Sequence, residues 1–181
     1  DLQLKGASSS PLKRKVFQYF SAVARRCEEY KAGGTAVSAG LSFARALGEH
    51  IVYGPVRDQL GLRRARWCVT GGAPMGPDTF GFFRGFGVNL KQLYGMTEVG
   101  GLATLQPDSA ASPDTVGVAC PGLEIRIAED GEVQLKSDGV FTGYFREEEK
   151  TAEVMSEDGW YRTGDAGLID KNGHLVIIDR A

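Results

Sequence analysis

The chain has 181 residues, 42% of them hydrophobic and 24% charged, which is apolar material for one large domain or two smaller ones and excludes intrinsic disorder. A formal net charge of −2 provides no overall basic field for nucleic acid, so an acidic ligand has to be met by individually placed groups. The 3 cysteines, Cys27, Cys68 and Cys120, lack paired metal-ligand spacing and are expected to be small buried residues of a reducing, cytoplasmic compartment. No signal peptide is expected, and no apolar run in the 181 residues nears the ~20 residues of a membrane span.

Because it opens at Asp1 rather than a methionine, the chain is expected to be a piece of something longer. From Pro11 to Tyr30, Val16, Phe17, Phe20, Val23, Ala24 and Cys27 recur at three- and four-residue spacing, the pattern of an amphipathic helix. Its basic start, Lys13-Arg14-Lys15, fits a solvated face, with a membrane- or partner-facing surface as the alternative. Gly33-Gly34-Thr35 ends the helix; no lysine follows at the spacing of a phosphate loop. A second helix is expected from Ser38 to Tyr53, closed by Gly54-Pro55, with His50 on its surface. Asp58 to Gly61 reads as a short helical turn.

Ala65 to Thr70 is rich in strand formers and empties into Gly71-Gly72-Ala73-Pro74. A loop without bulky side chains lets backbone approach a flat ligand, though a simple turn looks the same. A helix over Asp78–Phe86 and a strand over Val88–Leu93 follow, so residues 65–98 read as a parallel βαβ unit whose two loops share one edge. The second loop is Tyr94-Gly95-Met96-Thr97-Glu98. A ring can cover a base, a hydroxyl can donate to phosphate and a carboxylate can hold a hard cation, so Tyr94, Thr97 and Glu98 suggest a magnesium–nucleotide site; an ordinary strand-to-turn junction is the alternative.

Beyond Pro107 short alternating segments are punctuated by Asp130-Gly131, Asp138-Gly139, Asp158-Gly159 and Asn172-Gly173, the signals of tight turns in an antiparallel sheet or small barrel. A helix over Glu147–Met155 interrupts it. In Tyr161-Arg162-Thr163-Gly164-Asp165 an acid follows Thr-Gly on an expected turn that starts a new strand; one carboxylate there can accept both hydroxyls of a ribose or simply stabilise the turn. Arg180 adds a cation near the end of the chain.

Thr70-Gly71-Gly72-Ala73-Pro74, Tyr94-Gly95-Met96-Thr97-Glu98, Gly139-Val140-Phe141-Thr142-Gly143-Tyr144, Tyr161-Arg162-Thr163-Gly164-Asp165 and Ile178-Asp179-Arg180 stand in the order found in adenylate-forming enzymes. Among these the chain most resembles a long-chain acyl-CoA synthetase, a fatty acid–CoA ligase. The resemblance implies an α/β fold: residues 1–107 as a helical segment plus part of a parallel-sheet subdomain, then residues 108–181 as a small antiparallel β-barrel-like subdomain. It implies that Gly71, Gly72, Ala73 and Gly95 border the adenine cleft, that Tyr94 lies against adenine, and that Thr97 meets the phosphates and substrate carboxylate. It further implies that Glu98 holds magnesium, that Asp165 binds the ribose, that Arg180 reaches ribose or phosphate, and that Gly100 and Gly101 leave room for an acyl chain.

The implied substrates are ATP, which leaves as AMP through an acyl-adenylate, coenzyme A and a fatty acid. No Pro-Lys-Gly phosphate loop occurs in the 181 residues, so the chain alone is expected to be inactive and to self-associate through exposed sheet edges, with peripheral membrane contact in the parent. A non-catalytic nucleotide- or acyl-binding module, or another adenylating enzyme such as an amino-acid-activating domain, is the alternative.

Overall fold

The computed structural model describes residues 10–73 and 75–180, and of Ala32 and Arg180 the backbone alone. Pro74, the last residue of the expected glycine loop, lies outside the described residues. The chain divides into two compact units: residues 10–68 with 76–90, and residues 69–75 with 91–180.

The first unit is helical. Helix α1 spans Pro11–Ala32 with proline in its first turn, and Thr35 N–H closes its C-terminus on Tyr30 O at 2.9 Å. Helix α2, Ala39–Gly48, is capped by Ser38, whose hydroxyl accepts from Leu41 N–H. The expected stop at Gly54-Pro55 does not occur. A π-helical turn, Glu49–Tyr53, runs into helix α3, Gly54–Gln59. Gly54 N–H bonds Glu49 O, five residues back, and this extra residue puts Pro55 in the first turn of a new helix, where its missing N–H costs nothing. Helix α4, Pro77–Gly85, tolerates Gly85 because a Cβ there would press on Ala24 of α1 at 3.2 Å. Phe20, Ala24, Val52, Tyr53 and Phe86 form the core, and Tyr53 OH donates to Phe20 O at 2.7 Å. Cys27 is fully buried as expected, whereas Cys68 and Cys120 are half-buried; all three are free thiols.

Strands β1, Cys68–Thr70, and β2, Leu90–Tyr94, are neighbours in a mixed, parallel-containing sheet of order β1-β2-β3-β4, completed by β3, Thr104–Leu105, and β4, Val118–Ala119. A second, curled antiparallel sheet has the order β5-β6-β7-β8: Glu124–Ile127, Glu132–Lys136, Tyr161–Ile169 and Leu175–Arg180. The Asx-Gly pairs make its turns; Asp130 and Asp170 each accept from a backbone N–H two residues on. Helix α5, Glu148–Val154, is the expected insertion between β6 and β7. Val99, Ala103, Val133, Leu135, Tyr161 and Leu175 form this unit's core.

Candidate functional site

Tyr94 ends β2 and Asp165 stands 71 residues later within β7, yet the Tyr94 hydroxyl donates to Asp165 Oδ2 at 2.6 Å. Both line a cleft of about 460 Å³ with Gly72, Ala73, Gly95, Met96 and the turn Pro113–Val116, a volume in the range of small-molecule sites. Burial, then the bond to Asp165, push the Tyr94 hydroxyl far above its ordinary pKa, with the Thr163 hydroxyl acting in the opposite sense. Tyr94 is therefore a neutral donor at any physiological pH.

Asp165 is aimed by an irregularity in the strand. Arg162 pairs with Gln134 and Ala166 with Glu132, so Val133 alone faces Thr163, Gly164 and Asp165. Extra residues on one strand form a bulge, which bends the strand and redirects a side chain. Gly164 takes a φ of 71°, open to glycine and strained for other residues. The Thr163 hydroxyl donates to Val133 O at 2.8 Å and accepts from Asp165 N–H at 3.1 Å. The turn expected to start a new strand is thus a bulge inside a strand that begins at Tyr161, because Thr-Gly suits both and pairing register alone separates them.

Two glutamines hold the opposite wall. Gln106 Nε2 donates to Ser112 O and Thr115 O, both at 2.6 Å, while its Oε1 accepts from Gln92 N–H at 2.8 Å. Gln92 Nε2 donates to Pro113 O at 2.8 Å and to Thr115 O at 3.1 Å. Two glycines expected to make room for a ligand are required by the chain itself. A Cβ on Gly71 would lie 2.3 Å from Leu93 Cδ1, and one on Gly95 would lie 2.3 Å from Gly101 O. Gly100 and Gly101 close the turn after Glu98 through bonds to Thr97 O and Met96 O.

A model of the family described as AMP-binding enzyme matches residues 13–145. The chain belongs to the AMP-binding enzymes. Among curated relatives it is 38% identical over 135 residues to long-chain-fatty-acid–CoA ligase FadD15 of Mycobacterium bovis, covering 75% of this chain and 22% of that protein. It is 34% identical over 181 residues to long-chain-fatty-acid–CoA ligase ACSBG2 of Gallus gallus, covering 97% and 23%. Of the solved structures, amide bond synthetase McbA from Marinactinospora thermotolerans matches with a TM-score of 0.61 at 35% identity, over 75% of this chain and 29% of that one. These curated relatives are longer; the chain spans less than a quarter of the length of each.

The structure gathers Gly72, Ala73, Tyr94, Gly95 and Asp165 at one cleft, while Gly71, Thr97 and Glu98 are not among the residues lining it. Thr97 is exposed on a 3-10 turn, Thr97–Val99. Glu98 is half-buried; its Oε1 accepts from Tyr144 OH at 2.9 Å and its backbone O from Phe141 N–H at 2.7 Å. No group of three or more His, Cys, Asp or Glu that could hold a metal occurs among the described residues. One oriented carboxylate fits magnesium as this ion is commonly bound, with phosphate oxygens and water completing its six ligands. Arg180 of β8 pairs through its backbone with Asp165 of β7, and its side chain lies outside what the structure describes. Gln92, Gln106 and Glu132 are not marked as site residues by the sequence, and Tyr144 is marked only as the end of the Gly139–Tyr144 motif. Nothing local announced the other three.

Proposed function

We propose that this chain belongs to an ATP-dependent fatty acid–CoA ligase and supplies the adenine- and ribose-holding part of its adenylating site. The Tyr94–Asp165 pair at the cleft carries the reading, and the relatives named as long-chain-fatty-acid–CoA ligases favour fatty acid as the carboxylate. In the reaction a carboxylate oxygen attacks the α-phosphorus of ATP and pyrophosphate leaves. The coenzyme A thiol then takes the acyl group and AMP departs.

Tyr94 offers a ring face to adenine, and the backbone at Gly72, Ala73 and Gly95 borders the base. Asp165 accepts from the ribose hydroxyls and Thr97 donates to a phosphate. Glu98 holds magnesium, which when bound offsets phosphate charge during the displacement. The 181 residues contain no Pro-Lys-Gly clamp, so this chain binds nucleotide without adenylating. Catalysis belongs to the longer protein, which we place in the cytoplasm with peripheral membrane contact; among the described residues no helix is long and apolar enough to cross a membrane.

Calorimetry tests the reading. AMP binds the 181-residue chain, and Asp165→Ala weakens it about tenfold or more, the scale of hydrogen bonds to a charged group. Absent binding, or equal binding by the variant, overturns it. ATP–pyrophosphate exchange with any fatty acid is expected to be nil, and robust exchange removes the claim of inactivity. Strand β1 ends its sheet with Val69 41% exposed; pairing of copies there would appear as dimer mass in light scattering, and a strict monomer at high concentration counts against it.

A further inference from the structure

The nucleotide reading leaves unexplained a carboxylate buried behind the site. Glu132, the first residue of β6, is 6% exposed. Burying a carboxylate is costly unless its oxygens are matched, and here both are: Oε1 accepts from Gly164 N–H at 2.9 Å and Oε2 from Arg162 Nε at 2.7 Å. Arg162 also reaches Asp130 Oδ2 at 3.2 Å. Each of these contacts falls on the strand segment that carries Asp165.

A bulge takes residues out of the regular ladder, so their N–H groups need acceptors other than the partner strand's backbone. Opposite Val133 the ladder skips Thr163, Gly164 and Asp165. Glu132 accepts the Gly164 N–H, and Val133 O accepts from the Thr163 hydroxyl. An ionised acceptor makes the stronger, more directional bond, and it pins the residue immediately before Asp165. We propose that Glu132 is a positioning residue for ribose recognition: it holds the bulge that presents the Asp165 carboxylate to the cleft and to Tyr94. This rests on Asp165 being the ribose-binding group.

The readout is discrimination between AMP and 2′,3′-dideoxy-AMP, measured by calorimetry on the 181-residue chain. The wild type is expected to favour AMP about tenfold or more. Glu132→Ala should bring AMP down to the dideoxy level and leave dideoxy-AMP unchanged, and Glu132→Gln, which keeps an oxygen for Gly164 N–H, should restore part of the ratio. If circular dichroism shows that Glu132→Ala does not fold, Thr163→Val, which removes two other bonds of the same bulge, carries the same expectation. A wild-type ratio in the variants, or parallel weakening of both nucleotides, overturns the assignment while leaving the cleft reading intact. A wild type that binds neither nucleotide, or both equally, overturns the cleft reading and this assignment with it.

Discussion

The helical unit buries rings, with Phe20, Tyr53 and Phe86 packed edge to face at 5.1–6.2 Å between centroids. The second unit instead buries a set of amide, hydroxyl, carboxylate and imidazole side chains, Gln92, Thr104, Gln106, Thr115, Glu132, Gln134 and His174, where the helical unit's core buries the hydroxyl of Tyr53 on Phe20 O. His174 Nδ1 meets Thr115 Oγ1 at 3.1 Å, so the turn held by the glutamines is tied to β8 as well. Apolar packing is non-directional and holds helices together in many arrangements. Buried hydrogen bonds are directional and hold loops in one. The cleft therefore belongs to the unit whose polar groups are satisfied by its own chain before any ligand arrives.

That contrast can be broken by substitution. Phe86→Ala removes a nearly fully buried ring and should cost about 3–5 kcal/mol in urea unfolding, leaving AMP affinity unchanged. Gln106→Leu should cost about 3 kcal/mol because carbonyls of Ser112 and Thr115 and the N–H of Gln92 lose a partner; it should also weaken AMP, since Pro113–Val116 walls the cleft. Equal effects of the two variants on AMP would dissolve the distinction.

A pH series sharpens it further. Burial raises the Tyr53 hydroxyl from 10.0 to about 12, with Arg45 opposing. A raised folded-state pKa means the folded protein keeps a proton that the unfolded chain loses. The contribution is complete below about pH 10 and is lost as pH rises to about 12, with a slope of at most about 1.4 kcal/mol per pH unit for this group. Tyr53→Phe should remove that share of the slope in alkaline urea titrations. Smallest of all, Arg25→Ala breaks an exposed ion pair with Glu29 at 3.7 Å and should change stability by about 0.5 kcal/mol or less.

Much of the fold was legible. Pro11, the heptad-like spacing to Cys27 and Gly33-Gly34 marked α1 almost to its last residue, and the Asx-Gly pairs located the turns of the curled sheet, because these signals act within a few residues of chain. Gly54-Pro55 misled, since a π-helical turn shifts the hydrogen-bond register and makes room for a proline that would otherwise end the helix. Of the candidate site, Tyr94 and Asp165 were each visible as residue types with suitable chemistry. The 2.6 Å contact between them was not, and neither was the bulge that makes it.

By itself the sequence determined the periodicities, the turns, the motif order and the residue types able to meet a base, a ribose and a cation, all properties of short stretches. Tertiary structure alone decided which of them converge. Gly71 and Gly95 turned out to serve close approaches of the chain to itself, and Glu98 is oriented by Tyr144 from 46 residues away. Glu132, an ordinary first residue of a strand in sequence, stands behind Asp165 because strand pairing brings together groups 32 residues apart. Register across a sheet depends on partners distant in the chain, which no local pattern encodes.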